Sequence, residues 1–116
     1  MNKRKFGIIG EKIAQDYLRK KGYEILETNF YTKRGEIDII VQKDNCITFV
    51  EVKTRTNLNY GTPAMSVTSS KRKHIKFVAK IFLALNRLKE YEIRFDVIEI
   101  LIIDGKCKIN HIEGIM

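Results

Sequence analysis

The chain has 116 residues, of which 44% are hydrophobic and 31% charged, and its 22 Lys and Arg outweigh 14 Asp and Glu for a formal net charge of +8. A chain of this length and apolar content supports one domain, residues 1–116, with its own buried core, and excludes disordered, collagen-like and disulfide-framework classes. Cys46 and Cys107 stand far apart without metal-ligand spacing, which suits a reduced cytoplasmic setting, and no stretch approaches the roughly 20 apolar residues of a bilayer span, so no membrane partner is expected.

From about Asn2 to Lys21, the residues Phe6, Ile9, Ile13, Ala14, Tyr17 and Leu18 recur at helical spacing, and Gly22 supplies the stop. Tyr23 to Phe30 mixes β-branched and aromatic residues with polar ones, a strand pattern that ends near Lys33, Arg34 and Gly35. Between Glu36 and Arg55 two strands flank Asp44 and Asn45, a pair suited to a tight hairpin turn. Thr56 to Thr68 holds Gly61 and Pro63 and reads as a loop. Ser69 or Ser70 can then cap a second helix running to about Leu88, with Ile75, Val78, Ala79, Phe82 and Leu85 on its apolar stripe. A strand from Glu92 to Ile103, a turn at Asp104 and Gly105, and a last strand from Lys106 to Ile112 complete the order αβββαββ. That order is an α/β fold without regular βαβ alternation, and no glycine-rich phosphate loop is present, which argues against a nucleotide-binding enzyme.

The central hairpin carries the chemistry. With Asp44 and Asn45 at the turn, Asp38 faces Glu51 and Glu36 faces Lys53. In that register Ile37, Ile39, Val41, Thr48, Val50 and Val52 share one face, while Ile40 and Phe49 join the four charged residues on the other. Carboxylates opposed at about 5 Å repel by on the order of 3 kcal/mol at an effective dielectric near 20, more than the ~0.2–1 kcal/mol of a good cross-strand pair. The arrangement therefore asks for a cation between them, a proton on one of them, or divergence into water. Two carboxylates with waters and a substrate phosphate suit Mg²⁺ or Mn²⁺; a charge-paired strand end is the plainer alternative. Glu11 lies at the edge of the first helix's buried stripe, where it either reaches the rim of such a site or merely solvates the helix.

The segments Gly35-Glu36-Ile37-Asp38 and Phe49-Val50-Glu51-Val52-Lys53-Thr54-Arg55, preceded by Gly10-Glu11 and followed by Arg94-Phe95-Asp96-Val97, resemble the YraN family. That family in turn resembles the PD-(D/E)XK nuclease superfamily, Holliday-junction resolvases included, and the likeness runs from about Gly10 to Val97. It implies a restriction-endonuclease-like fold, a central mixed sheet flanked by two helices. It also implies that Asp38 and Glu51 hold a divalent ion, Mg or Mn, with Glu11 as the helix-one acid. Lys53 would orient the attacking water and phosphate, and Glu36 would be a partner of Lys53. The activity implied is hydrolysis of DNA phosphodiester bonds in repair or recombination; the alternative is a non-catalytic nucleic-acid-binding module of a larger assembly. Resolvase-like enzymes pair, so a homodimer belongs among the expectations. Tyr31 departs from the resemblance, standing where a basic residue is expected.

Net positive charge favours a polyanionic partner, because each phosphate neutralised releases condensed counterion. Lys71, Arg72, Lys73 and Lys76 open the second helix beside Arg55 and Asn57, and read as a phosphate-contacting strip or as a solvated helix end. Lys33 and Arg34 carry the same two readings. His74 and His111 are isolated and read as structural or surface residues, Asp96 as an ion-paired or surface strand residue, and Tyr17, Tyr23, Phe77 and Phe82 as core.

Overall fold

A computed structural model describes residues 3–56 and 69–115. The chain runs α1 (Lys3–Lys20), β1 (Glu24–Thr32), β2 (Gly35–Lys43), β3 (Cys46–Arg55), α2 (Ser69–Leu85), β4 (Glu92–Ile103) and β5 (Lys106–Ile112). The loop expected around Gly61 and Pro63 lies outside the described residues. No described helix is long and apolar enough to cross a membrane.

Local chemistry sets most of the boundaries. Gly22 ends α1 by taking φ 93°, so that Tyr23 N donates to Leu18 O at 3.0 Å and Gly22 N to Arg19 O at 3.0 Å, closing carbonyls the helix leaves open. Ser69 is the first described residue of α2, already helical together with Ser70. That helix also stops three residues before Leu88: Arg87 turns left-handed at φ 55°, Leu88 N bonds back to Leu83 O, and Asn86 Nδ2 donates to Phe82 O. Positive φ at Asp44, and at Asp104 with Gly105, makes the two hairpin turns the sequence predicts.

The strands form one sheet in the order β1-β2-β3-β4-β5, antiparallel except for the parallel β3–β4 pair, whose crossover carries α2. This is the αβββαββ restriction-endonuclease-like layout, a mixed sheet with a helix on each face. On the α2 side Ile37, Ile40, Ile47, Phe49 and Phe95 pack against Ile75, Val78, Ala79 and Phe82. On the α1 side Ile39, Val41, Val50, Ile98 and Ile100 pack against Ala14 and Leu18. The stripe drawn from spacing overreaches at Leu85, which is 70% exposed because α2 runs out past the strands it covers.

One feature of this packing corrects the face assignment and positions the site. Ile37 and Ile39, two residues apart on β2, enter opposite cores, so strict alternation fails across Asp38. The neighbouring strand reverses at the same level. Phe30, opposite Ile37, packs on the α2 side, and between it and Thr28, the partner of Ile39, Asn29 adopts φ 51°.

At the other end of the sheet Asp96, fully buried, accepts from Arg94 Nε at 2.9 Å, Arg94 Nη2 at 2.9 Å and Gly114 N at 3.0 Å, and lies 2.7 Å from His111 Nε2. His111 Nδ1 meets Tyr17 OH at 3.0 Å, and Arg94 also donates to Tyr23 OH at 2.7 Å. This network ties α1, the α1–β1 connection, β4, β5 and the C-terminal residues together. Burial opposes ionisation of Asp96, but His111, Arg94 and the Gly114 amide outweigh it and hold the carboxyl below its ordinary value.

Candidate functional site

The β2–β3 ladder has the predicted register, with Ile39 opposite Val50 and Val41 opposite Thr48. It stops at the Ile39–Val50 pair, before Asp38 and Glu51. Beyond it the Asp38 side chain takes over the ladder's role, its Oδ2 accepting a hydrogen bond from Val52 N at 2.8 Å. Opposed carboxylates separated by a wedge of this kind avoid the full repulsion of a flat pair. Glu36 does not face Lys53: it pairs with Tyr31 on β1, whose ring is 73% exposed.

Three elements converge on Asp38. Gly10 lets α1 lie against β3, since a Cβ there would fall 1.8 Å from Thr54 Oγ1 and 3.0 Å from Thr54 Cβ. The next residue, Glu11, thereby reaches the strand ends, near enough to Asp38 for the two carboxyls to influence each other's ionisation. Burial first, and the charge of Glu36 second, push the Glu11 carboxyl above its ordinary range. Asp38 is pushed further, to about 7, by burial above all and then by the charges of Glu11, Glu51 and Glu36, which together outweigh the Val52 hydrogen bond that favours the anion.

Glu51 approaches from the α2 side. Its Oε1 lies 3.3 Å from Lys53 Nζ and in contact with Lys71 Nζ, while its Oε2 is buried with no hydrogen-bond partner. Burial opposes the Lys71 charge, but the bonds and charge of Glu51 prevail and raise its pKa. A cavity of about 10 Å³, room for one water or a bare cation, is lined by Glu36, Asp38 and Glu51 and closed by Phe49 and Ile75. Asp38, Glu51, Lys53 and Glu11 are thus brought together. Among the described residues, however, no three acidic, His or Cys side chains are drawn tightly enough to cage a metal as they stand.

The remaining sequence candidates divide. Lys71 turns inward to Glu51 instead of lining a surface strip. Arg55 is mostly buried, with its Nε 2.6 Å from Glu99 Oε2. Arg72 and Lys73 are exposed on α2, and Lys33 and Arg34 at the β1–β2 turn, where Gly35 abuts His74 and Val78 and the Arg34 guanidinium lies 4.9 Å from the Phe77 ring centre. These four cations lie on α2 and on the turn that packs against it. Sequence reasoning missed Asn29, whose only visible signal is a polar residue in a β-rich run, and the inward role of Lys71, which its neighbours Arg72 and Lys73 disguise.

A family model described as Uncharacterised protein family UPF0102 matches residues 10–100. The chain belongs to this family. A UPF0102 protein of Syntrophomonas wolfei is 50% identical over 94% of this chain and 95% of its own length. One from Caldanaerobacter subterraneus is 48% identical over 97% and 94%. A Clostridioides difficile relative is 47% identical over 97% and 96%. The UPF0102 match begins at Gly10 and ends at Ile100, so it spans α1 from the Thr54 contact, the whole carboxylate site and both lysines.

Proposed function

We propose that the chain is a metal-dependent endonuclease that hydrolyses DNA phosphodiester bonds, with its site at Asp38, Glu51, Lys53 and Glu11. The observation that carries this reading is an acid cluster short of positive charge beside two ammonium groups. Asp38 is raised to about 7, and the buried Glu51 Oε2 has no hydrogen-bond partner, within a few side chains of Lys53 and Lys71. All the acidic donors are hard carboxylate oxygens, the set that fits Mg²⁺ or Mn²⁺. Asp38 and Glu51 would hold the ion and Glu11 would complete the set from α1, after Glu51 turns from its lysines. When bound, such an ion lowers the pKa of a coordinated water and neutralises charge that develops on phosphorus oxygens.

The chain's own residues do the rest. Lys53 is half-exposed, so its ammonium can orient a water and a phosphoryl oxygen at the cavity mouth while Glu51 fixes its position. Lys71, once Glu51 turns away, presents a second cation to the same phosphate. Lys33, Arg34, Arg72 and Lys73 track the flanking backbone as sequence-independent contacts. Arg55, held by Glu99, braces the end of β3 and is not assigned to phosphate.

The test is cleavage of branched, single-stranded and duplex DNA with Mg²⁺ or Mn²⁺, comparing the wild type with Asp38→Asn and Lys53→Ala. Loss of turnover in both variants with DNA binding retained is expected; turnover that survives both refutes the assignment. A second reading, a nucleic-acid-binding module that does not cut, is favoured by the lack of a preassembled three-ligand cage among the described residues. Salt-dependent binding without turnover on any substrate would select it.

A further inference from the structure

We infer that Asn29 is a positioning residue, whose left-handed backbone makes the strand reversal at Asp38 and whose side-chain amide gathers Glu11 and Glu36 beside it. Positive φ is uncommon outside glycine, and Asn is among the residues that tolerate it best. Inside a strand it breaks alternation, so a residue held at φ 51° in the middle of β1 calls for a cause. The cause is visible on both sides of it. Thr28 pairs with Ile39, which enters the α1-side core, whereas Phe30 and its partner Ile37 pack on the α2 side. The change of face takes place over Asn29 on one strand and Asp38 on the other. A regular β1 would leave Asp38 pointing squarely to one face, where it could not serve both Val52 N and the acids that flank it.

The side chain supplies the second half. With its amide oriented so that nitrogen rather than oxygen faces the carboxylates, Asn29 Nδ2 lies 2.9 Å from Glu36 Oε1 and 3.3 Å from Glu11 Oε1. The opposite orientation sets oxygen against oxygen. One NH₂ group with two donors thus bridges two carboxylates that repel each other and are contributed by different elements, α1 and β2. Asn29 acts on the site through the acids it holds, Glu11 and Glu36.

The metal-related part of the inference rests on the proposed endonuclease site; the bridging itself does not, and two measurements separate them. Asn29→Gly keeps the left-handed backbone and deletes the amide, while Asn29→Ala loses both. Asn29→Gly should therefore melt at or above the temperature of Asn29→Ala, yet bind Mn²⁺, followed by water-proton relaxation, roughly tenfold or more weakly than wild type, the usual scale for losing a group that orients a metal ligand. Wild-type Mn²⁺ affinity in Asn29→Gly would overturn the inference. In parallel, the Asn29 side-chain amide signals in ¹H–¹⁵N spectra of the metal-free protein should shift in both Glu11→Gln and Glu36→Gln. Signals unmoved by either change would overturn the bridge. Signals that move while the wild type binds no Mn²⁺ would uphold the bridge and refute the metal site instead.

Discussion

Replacing Asp38 by Asn should make the protein more stable at pH 8 and leave it almost unchanged at pH 4. Its carboxyl is raised from an ordinary 3.8 to about 7, mainly by burial. A group whose pKa rises on folding contributes its full stability below the unfolded value and loses it as pH climbs through the folded one. Above pH 7 the native state therefore carries an anion it disfavours by about 3 pH units, at ~1.4 kcal/mol each roughly 4 kcal/mol, with water penetration trimming this to about 2–4 kcal/mol. Asn has almost the same shape, never ionises, and its side-chain oxygen can still accept from Val52 N, so the substitution removes the electrostatic cost and little else. Thermal unfolding followed by circular dichroism should place Asp38→Asn about 10 °C above wild type at pH 8, the gap closing toward pH 4. Mg²⁺ should raise the wild-type midpoint at pH 8 more than that of the variant. A variant that is less stable at pH 8, or a gap that does not change with pH, would refute the account of Asp38 as a strained, ion-seeking carboxyl.

Gly10→Ala should destabilise by about 1–2 kcal/mol in urea unfolding, because overpacking against Thr54 outweighs the ~1 kcal/mol by which alanine favours a helix; Thr54→Ala should recover part of that loss in the double variant. Asp96→Asn should cost about 3–5 kcal/mol at pH 7 by leaving Arg94 without its buried partner. Since the Asp96 carboxyl is held below its ordinary value, its stabilisation is present above about pH 4 and fades as pH falls through the lowered value, so the difference between wild type and variant should shrink in acid. Removing Arg72 and Lys73 together should flatten the salt dependence of duplex binding by about two in log–log slope, without preference for sequence; an unaltered slope would show that α2 does not meet the backbone.

Much of the fold could be read in advance because the decisive signals are local. The helical stripe through Ala14 and Leu18, the glycine stop at Gly22 and the paired turn residues at Asp44–Asn45 and Asp104–Gly105 each act within a few residues, and they yield the element order and the hairpin register. The gathering of charged residues was legible to the same depth: an even turn sets Asp38, Glu51 and Lys53 at one strand end. Tertiary events were not. The inward turn of Lys71 depends on where α2 docks, the Arg55–Glu99 pair on the parallel β3–β4 register, and the exposure of Leu85 on the length of strand beneath it. The buried Asp96–His111–Tyr17 chain joins residues from β4, β5 and α1, and one of them, His111, looked isolated along the sequence.

The departure from period two at Asp38 explains why the acids gather there. A sheet in full register satisfies its own amides and has no use for a buried carboxylate, and repulsion would drive four acids apart. Ending the β2–β3 ladder at Ile39 and Val50 frees the Val52 amide, and that donor gives Asp38 a reason to stay between the strands. Once it stays, burial and Glu36 hold the Glu11 carboxyl above its ordinary range, Glu36 is within reach of the Asn29 amide, and Glu51 leans on Lys53 and Lys71. Each acid is tolerated through a different device, and all the devices fall where the sheet stops pairing. Evenly spread strain would be removed by ordinary substitution; strain concentrated at one break in a ladder, beside two ammonium groups, is the pattern that the proposed site for a charged ligand calls for.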